Sequence, residues 1–509
     1  MYHSLASALL ILYLVATFFV LIKFALHRRL RRPLPPGPLG LPIIGNVLQI
    51  PQNVSMWLTF AYWGRRYGDI VHLSMLGRST ILLSSPTAIH ELLKNRSAIY
   101  SDRPHTIMAC ELVGWQEFLP LSPYGERSRQ FRKVMSSVMG PRNAEKLHSM
   151  QEQNAHRFAS RLQESPAKVR SHIRWLIANT AIKVITGFDV ETLDDPLVQL
   201  ADKAVFEFGL ATTPGAHLVD MIPILKYMPS WFPGAGFKAQ AKAWRETVNH
   251  VRDDAYGLVK EHVAQDSAAP SLLTSLLQNN VHPDPQLESI YRHISGTAYT
   301  AAVDTTVAGI EWFFLAMTLH PDVQRKAQAE VDGVIETGRL PSFSDRPKLP
   351  YVEALIKEVY RWNPVAPLGL PHRLTRDDVY EGYHIPAGST VIANIWAVFH
   401  DPVLYSEPSD FNPDRFFNRK SNFLNPDPRS FAFGFGRRLC PGMHLADDML
   451  FITVVTTLAA FNIEKAVDRD GRPITPVVHC ENGVVSAPGP FECRVTPRSA
   501  EMMNLREDA

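Results

Sequence analysis

The cysteine at position 440 lies in a glycine-rich, aromatic segment, FGFGRRLCPG, near the C-terminal end of the chain. Gly436 and Gly442 allow the backbone to turn tightly and to approach a flat cofactor closely. Arg438, two residues before the cysteine, carries the charge needed to bond a carboxylate on such a cofactor. Phe433 is large enough to shield the sulfur from water. These residue types and spacings predict a thiolate ligand to iron, although a single cysteine is more often a buried, inert thiol.

A second segment suited to chemistry is Ala301 to Thr306, AAVDTT, inside the longest predicted helix. This helix extends from about Glu288 to His320, because the ring of Pro321 cannot continue it. The Thr305 hydroxyl can bond a carbonyl one turn back and locally loosen the helix, which opens space for a ligand or water. Reductive cleavage of dioxygen consumes two protons, and the acid Asp304 beside this hydroxyl can deliver them. Without further context, such a pair is more often a capped or solvated polar spot.

Both segments resemble motifs of the cytochrome P-450 family of haem-thiolate monooxygenases. The first matches every defining position of the haem-binding signature F-x-x-G-x-R-x-C-x-G. The second is similar to the A-G-x-D-T-T motif, but Ala302 replaces the usual glycine and adds a methyl group where the helix approaches the haem. The resemblance implies haem b, iron protoporphyrin IX, bound through Cys440, whose electron donation favours the splitting of dioxygen. It also implies that Asp304 and Thr305 deliver the protons.

The spacing Glu-x-x-Arg places two opposite charges on one face of a helix. It occurs at Glu126/Arg129, Glu336/Arg339 and Glu358/Arg361, so the spacing alone does not select a pair. Only the third pair completes an amphipathic helix, which begins near Leu349 and ends at Trp362. The resemblance adds Arg415, in FNPDRF, as a partner similar to the arginine of the family's P-E-R-F segment. Glu358, Arg361 and Arg415 are therefore predicted to form a structural lock beneath the thiolate, in which loss of one charge strands the others.

The two propionates of a haem are carboxylates, and the resemblance makes Arg438, Arg132 and His372 the candidates to bind them. Arg132 lies in YGERSRQFRK, which resembles the family's W-x-x-x-R helix, but Ser128 replaces the tryptophan. The replacement removes one indole donor, and Arg129 is the predicted substitute. The alternative for His372 is an ordinary histidine in a strand.

Composition limits the classes of protein to which the chain can belong. The 509 residues are 46% hydrophobic and 20% charged, an ordinary globular balance. The net charge is +2 and no dense basic stripe interleaves with aromatic residues, so nucleic-acid binding is not predicted. The cysteines at 110, 440, 480 and 493 contain no C-x-x-C pair, which favours a reducing compartment. A disulfide between Cys480 and Cys493 is the alternative in a secreted protein.

The N-terminal segment predicts a membrane anchor at residues 1–27. The stretch from Leu5 to Ile22 is apolar, and a basic cluster follows it at Lys23, Arg28, Arg29, Arg31 and Arg32. By the positive-inside rule, the rest of the protein is then cytosolic, on a single-pass protein of the endoplasmic reticulum membrane. A cleaved signal peptide would need a basic start and a small-residue cleavage site, and neither is evident. Residues 28–41, basic and then proline-rich, predict a stiff extended hinge, and residues 42–509 form the predicted haem-thiolate catalytic domain.

The body of the chain predicts a mainly α protein with a minor β region, the cytochrome P-450 fold that the resemblance implies. Short apolar stretches between turn residues at 42–85 and 379–393 indicate strands. Apolar residues at three- and four-residue spacing predict helices at 87–95, 143–163, 171–187, 241–265, 286–319, 321–337 and 350–362.

The chain has no flavin or nicotinamide signature, so its electrons must come from another protein. The microsomal resemblance implies a membrane-bound NADPH-cytochrome P-450 reductase, with cytochrome b5 as a further donor, and a lipophilic small-molecule substrate. The phrases around 351–373 and 219–237 resemble fungal monooxygenases of secondary metabolism, which implies oxidation of a terpenoid, polyketide or aromatic natural product. Two alternatives remain open. One is a haem-thiolate isomerase or dehydratase that needs no external electrons, and the other is a non-catalytic haem-binding protein.

Overall fold

The computed structural model describes residues 33–51, 54–280, 282–336, 339–417, 425–481 and 483–498. These ranges are mainly helical with a small β part, which confirms the predicted fold class. The predicted anchor at 1–27 and the hinge residues 28–32 lie outside the described residues.

The longer helices carry most of the fold. They are α1 (Met56–Tyr67), α2 (Glu126–Met139), α3 (His148–Glu164), α4 (Val169–Thr186), α5 (Pro196–Thr212), α6 (Gly236–Ala264), α7 (Leu272–Asn279), α8 (Pro285–Leu319), α9 (Pro321–Val334), α10 (Pro350–Trp362) and α11 (Met443–Ala460). Short α-helical turns lie at Pro86–Ile89, Ser97–Tyr100, Pro141–Ala144, Leu218–Met221, Ile395–Phe399, Asp414–Phe417 and Arg429–Ala432, and π-helical turns at His90–Asn95 and Ile107–Val113.

The strands form three small sheets. Their bounds are β1 (Ile70–Met75), β2 (Arg78–Leu83), β3 (His372–Arg373), β4 (Asp378–Tyr380), β5 (Tyr383–Ile385), β6 (Thr390–Ala393), β7 (Phe461–Lys465) and β8 (Cys493–Pro497). The largest sheet has the order β1-β2-β6-β3, with β2 and β6 parallel and the other neighbours antiparallel. The two-stranded sheets β4-β5 and β7-β8 stand apart from it. The strands predicted at 42–85 and 379–393 are confirmed, except that residues 56–67 form the helix α1.

Helix α8 is the centre of the fold and packs against α4, α5, α6, α10 and α11. It ends before Pro321, as the sequence predicted, and Pro321 opens α9. The aromatic run from Trp312 to Phe314 is almost completely buried. Both α8 and α11 are long and apolar enough to cross a membrane, but most of each apolar window is buried inside the protein, as in a core helix.

The sequence of helix α11 shows no amphipathic periodicity, so this helix was not predicted. Every residue from Met449 to Ala460 is buried, so the sequence has no polar stripe to alternate with an apolar one. Helices α5 and α7 were also missed. The helix predicted at 87–95 is present, but its second half is a π-helical turn.

The described part of the hinge is extended, as predicted, but it is fastened to the body. The carbonyl of Pro33 accepts a hydrogen bond from the His384 amide at 2.9 Å, and that of Pro36 accepts one from the His72 amide at 2.9 Å. Prolines lack amide donors, yet their carbonyls remain available to strands β5 and β1.

A buried charge network joins α10 to the segment after it. Arg361 donates to both carboxylate oxygens of Glu358, each at 2.8 Å, and both side chains are fully buried. Arg415 donates to the same carboxylate at 3.2 Å. Carbonyl oxygens of Phe399, Pro408 and Asp410 accept the remaining Arg361 hydrogen bonds. The structure therefore brings together the three residues that the sequence predicted as a lock.

The other two Glu-x-x-Arg pairs differ from this one. Arg129 bonds Glu126 at 2.5 Å, but both side chains are more than half exposed. Arg339 bonds Asp345 rather than Glu336. Burial, which the spacing does not encode, distinguishes Glu358 and Arg361.

Replacing Glu358 with alanine should lower the free energy of unfolding by about 3–5 kcal/mol, because Arg361 and Arg415 would remain buried without a counter-charge. Urea denaturation followed by tryptophan fluorescence measures the effect. The matched control is Glu126→Ala, which breaks a pair of the same spacing in solvent and should barely move the midpoint. Equal midpoints for the two variants would contradict the role of burial.

Candidate active site

The loop that carries Cys440 is built by two tight turns between the helical turn at Arg429–Ala432 and α11. Gly434 and Gly436 have φ angles of +81° and +51°, a region that favours glycine. A Cβ at Gly436 would lie 2.5 Å from the Leu93 carbonyl oxygen, so no larger residue fits without a shift. Gly442 has an ordinary φ of −91° and open space beside it, so its place is not set by a turn.

Hydrogen bonds hold Cys440 within this loop. Its amide donates to the Phe433 carbonyl at 2.8 Å, and its sulfur accepts the Gly442 amide. The Phe433 ring meets Tyr360 edge-on, with ring centroids 5.4 Å apart. Burial raises the pKa of the Cys440 thiol, while the Gly442 hydrogen bond and the charge of Arg132 oppose that rise. The residue is nevertheless solvent-accessible.

The central part of α8 also has an exposed position. Ala301 is exposed, although Ala298, Tyr299 and Val303 around it are buried. The Thr305 hydroxyl donates to the Ala301 carbonyl at 2.8 Å, the bond one turn back that the sequence predicted. A threonine with this back-bond keeps its oxygen lone pairs available to accept a hydrogen bond from a ligand or water.

Asp304 lies on the same turn of α8 but has a cationic partner on α4. Arg174 donates to Asp304 at 3.2 Å and to Asp202, on α5, at 2.7 and 3.0 Å. All three side chains are about one-third exposed. Asp304 and Thr305 thus keep separate partners in this structure, one an arginine and the other a backbone carbonyl.

A cluster of cations lies against the Cys440 loop; Arg103 and Arg438 are buried and Arg132 is partly buried. Arg438 is almost completely buried and donates to the carbonyls of Ser101 and Ser122, each at 2.7 Å. Arg103, equally buried, donates only to carbonyls. Arg132 donates to the Leu439 carbonyl at 2.6 Å, and its Nε is buried without a partner.

This cluster has an excess of positive charge. Within the part of the chain that the structure describes, no carboxylate forms an ion pair with Arg103, Arg132 or Arg438, and the nearby Asp102 pairs with Arg373 instead. Burial and the neighbouring Arg132 lower the pKa of Arg438 to about 10. Burial and the same cations hold the pKa of Arg103 well below its ordinary value. Uncompensated buried charge is costly, so this region fits an anionic partner.

His372, at the start of β3, belongs to the same cluster. Its Nδ1 donates to the Tyr100 carbonyl at 2.7 Å, because a carbonyl can only accept. Burial and the charges of Arg103, Arg438 and Arg132 lower the pKa of His372 to about 3, so the ring is neutral here. Its Nε2 then carries no proton, and it can donate to a carboxylate only after the ring takes one up.

The structure separates the predicted carboxylate-binding residues into two groups. Arg438, Arg132 and His372 are brought together, whereas the Arg129 guanidinium lies outside this cluster and bonds Glu126. Ser128, which replaces that tryptophan, is buried beside Arg438, with 3.5 Å between Oγ and Nη1. Arg103 was missed, since nothing in the sequence SDRPH marks it as buried. The two groups differ in burial, which the residue types do not reveal.

The site thus combines an accessible thiol on a glycine loop with three guanidinium groups that form no ion pair with a carboxylate among the described residues. These features fit a flat cofactor that has carboxylate groups and a metal ion able to bind sulfur. The sequence pattern of the cytochrome P-450 family matches residues 35–494. The chain belongs to the cytochrome P-450 family. Membership implies a haem with a thiolate ligand.

Curated relatives agree over nearly the whole chain. Cytochrome P-450 monooxygenase 208 of Postia placenta is 43% identical over 488 residues, covering 96% of this chain and 94% of the relative. Cytochrome P-450 monooxygenase claR of Ampulloclitocybe clavipes is 41% identical, covering 99% of this chain and 92% of the relative. Tryptamine 4-monooxygenase of Psilocybe cyanescens is 41% identical, and the match covers 95% of this chain and 96% of the relative. This cytochrome P-450 is thus similar to fungal oxygen-incorporating oxidoreductases.

Replacing Arg103 with leucine should weaken haem retention about 10- to 100-fold, the equivalent of one lost charge-assisted bond of about 1.5–3 kcal/mol. The haem-to-protein ratio after gel filtration measures the loss. Arg129→Leu is the control, because Arg129 is equally basic and close in sequence but lies outside the cluster. Haem loss from the Arg129 variant alone would show that the sequence-based choice was right and the structure-based one wrong.

Proposed function

We propose that this cytochrome P-450 is an NADPH-dependent monooxygenase that inserts one oxygen atom from dioxygen into a lipophilic small molecule. The observation that carries the proposal is the accessible Cys440 thiol beside Arg103, Arg132 and Arg438, which form no ion pair with any carboxylate among the described residues. The family and the similarity to fungal monooxygenases support the reaction class.

Each residue of the Cys440 loop has a distinct role in this proposal. Cys440 would be the metal ligand, Phe433 would keep water from its sulfur, Gly436 lets the loop pack against the Leu93 carbonyl, and Gly442 leaves open space for the flat cofactor. Bound haem supplies the redox chemistry that activates dioxygen. Arg438 binds a propionate through charge-assisted hydrogen bonds.

The carboxylate-binding set is completed by Arg132, His372 and Arg103. His372 takes up a proton when a propionate lies opposite its Nε2, because only the imidazolium donates from both nitrogens. Glu358, Arg361 and Arg415 keep α10 and the following segment in fixed register. The loop that bears the ligand is then held by a rigid frame.

Thr305 and Asp304 are the proposed proton-delivery residues. The Thr305 hydroxyl already donates its proton to the Ala301 carbonyl, so its oxygen can accept a hydrogen bond from the active-site side. To pass a proton on, the hydroxyl releases its own proton and receives another from Asp304 or from a water between them. Asp304 must therefore be free to leave or share Arg174 during the reaction.

The electrons come from NADPH through a membrane-bound reductase, with cytochrome b5 as a second donor. Lys133 and Arg437 are exposed near the Cys440 loop, and Arg437 donates to the Tyr124 hydroxyl at 3.1 Å. Basic side chains of this kind steer an acidic redox partner toward the thiolate side. Arg129, four residues before Lys133 on α2, is paired with Glu126 and adds less to this positive charge.

A membrane location fits the apolar residues on one part of the surface. Phe206, Leu218, Ile224, Tyr227 and Trp231 are all exposed, and Trp231 is 81% exposed. Exposure on this scale favours a surface that dips into the bilayer interface over a turn packed in the core. A substrate entrance facing the bilayer favours lipophilic compounds.

We place the catalytic domain on the cytosolic side of the endoplasmic reticulum membrane. Asn95 is exposed and belongs to the sequon Asn95-Arg96-Ser97. A glycan on Asn95 in the membrane-extracted protein would contradict this orientation.

The substrate class proposed is a fungal secondary metabolite, either a terpenoid, a polyketide or an aromatic compound. The support is the similarity to relatives such as tryptamine 4-monooxygenase, whose name specifies an aromatic amine. Product analysis after expression with neighbouring biosynthetic enzymes identifies the compound.

Replacing Cys440 with serine should abolish the thiolate-type carbon monoxide spectrum of the reduced protein, because an alcohol oxygen does not replace the sulfur donor. NADPH consumption in membranes containing the reductase should stop as well. Replacing Cys480 with serine is the control and should change neither measurement. An unchanged spectrum in the Cys440 variant would remove the monooxygenase assignment.

Replacing Thr305 with alanine should uncouple NADPH consumption from product formation and raise hydrogen peroxide release about tenfold or more. Thr318→Ala is the matched control, since Thr318 makes the same back-bond, to the Phe314 carbonyl at 2.8 Å. It lies on the same helix, about 20 Å away at a rise of about 1.5 Å per residue. Full coupling in the Thr305 variant would mean that protons arrive without this hydroxyl.

A further inference from the structure

A small cavity lies behind α8, enclosed by side chains of α4, α5 and α6. Its volume is ≈ 30 Å³, and apolar residues such as Ile182, Leu200 and Val251 form much of its wall. The polar exceptions on α8 are Ser295 and Tyr299. Both hydroxyls are buried and have no hydrogen-bond partner in the described structure.

Two unpartnered hydroxyls beside a cavity of this size indicate bound water. A water molecule needs roughly 10–15 Å³ of such space and two to four polar partners. An unsatisfied buried hydroxyl costs about 1–3 kcal/mol, so the site gains when water enters. The outer rim of the cavity includes His250, which is well exposed and pairs with Asp254. Water in the cavity therefore has a polar exit to the surface.

Tyr299 lines this cavity and also feels the charges around the acid of the active site. Burial raises the pKa of the Tyr299 phenol, and the negative charges of Asp202 and Asp304 raise it further. The positive charge of Arg174 opposes this rise. The phenol lies close enough to all three charged groups for their fields to act on it. It stays protonated, so it can donate to one oxygen while accepting from another.

Asp202 controls how tightly Arg174 holds Asp304. Arg174 gives two hydrogen bonds to Asp202, at 2.7 and 3.0 Å, and only one to Asp304, at 3.2 Å. A fork-to-fork arrangement fixes the guanidinium on α5. Asp304 keeps an oxygen free of Arg174 only while Asp202 holds the guanidinium in this position.

We propose that protons reach Asp304 from behind α8, through water in this cavity and the hydroxyls of Ser295 and Tyr299, with Asp202 as the positioning residue for Arg174. Each oxygen along the route accepts one proton as it releases another, so no electrons move and no group is consumed. The route rests on the proposed function, because it feeds the proton-delivery role of Asp304.

The first test is structural. A high-resolution crystal structure of the holoenzyme should show ordered water within hydrogen-bond distance of Ser295 Oγ and the Tyr299 hydroxyl. A dry cavity would overturn the route, whatever the activity of the enzyme.

The second test uses the holoenzyme with reductase, measuring NADPH oxidation in H₂O and D₂O. Tyr299→Phe should slow oxidation about 3- to 10-fold and raise the solvent isotope effect, with an unchanged carbon monoxide spectrum. The matched control is Tyr291→Phe, because Tyr291 is on the same helix and equally buried; it should behave as wild type. Equal effects from the two variants, or no effect from Tyr299→Phe, would overturn the route.

The role of Asp202 has its own pair of variants. Asp202→Asn should release Arg174 to pair fully with Asp304 and give the same slow, isotope-sensitive turnover, and Asp202→Glu should restore most of the rate. Failure of the glutamate to rescue, with both variants folded and haem-loaded, would refute positioning by charge. Absence of a thiolate spectrum in the wild type would instead refute the proposed function, and the cavity water would still decide the route.

Discussion

The constraint on which the site depends is positive charge that the chain buries without neutralising. Arg103, Arg132 and Arg438 lie together, bonded to carbonyls, and burial together with the charge of Arg132 lowers the pKa of Arg438. A protein that folded for stability alone would place a carboxylate there. The arrangement is that of a binding site for a negatively charged ligand. Folding and cofactor binding are thereby linked, because the ligand that fills the site also removes the repulsion.

The Glu358 network shows the opposite solution to the same problem. One carboxylate serves two arginines, and backbone carbonyls satisfy the remaining donors. Nothing is left for a ligand, so the network is a rigid frame. The two arginine clusters therefore differ in the acceptors that the chain supplies. The structural cluster has a carboxylate of its own, whereas the binding cluster is bonded to carbonyl oxygens and forms no ion pair with a carboxylate among the described residues.

Helix α8 combines two demands. Its C-terminal half is core, with Trp312 to Phe314 packed on all sides, whereas the middle turn presents Ala301 and a back-bonded Thr305 to open space. The same turn places Asp304 toward Arg174 and Tyr299 toward the cavity behind the helix. A long helix with different surroundings on each face can thus connect the two sides of the core.

The sequence by itself determined the family, the mainly α fold, the end of α8 before Pro321, and the cysteine loop, because these depend on local chemistry and spacing. It also selected Glu358 among three identical spacings, through the amphipathic helix that precedes Arg361. Only the tertiary structure decided which arginines form the cation cluster: Arg103 belongs to it, and Arg129 does not. The tertiary structure also decided which acids bind Arg174. It also decided that α11 is a helix, since full burial removes the periodic signal. Charge and burial at these positions arise from segments far apart in the chain, so no local pattern encodes them.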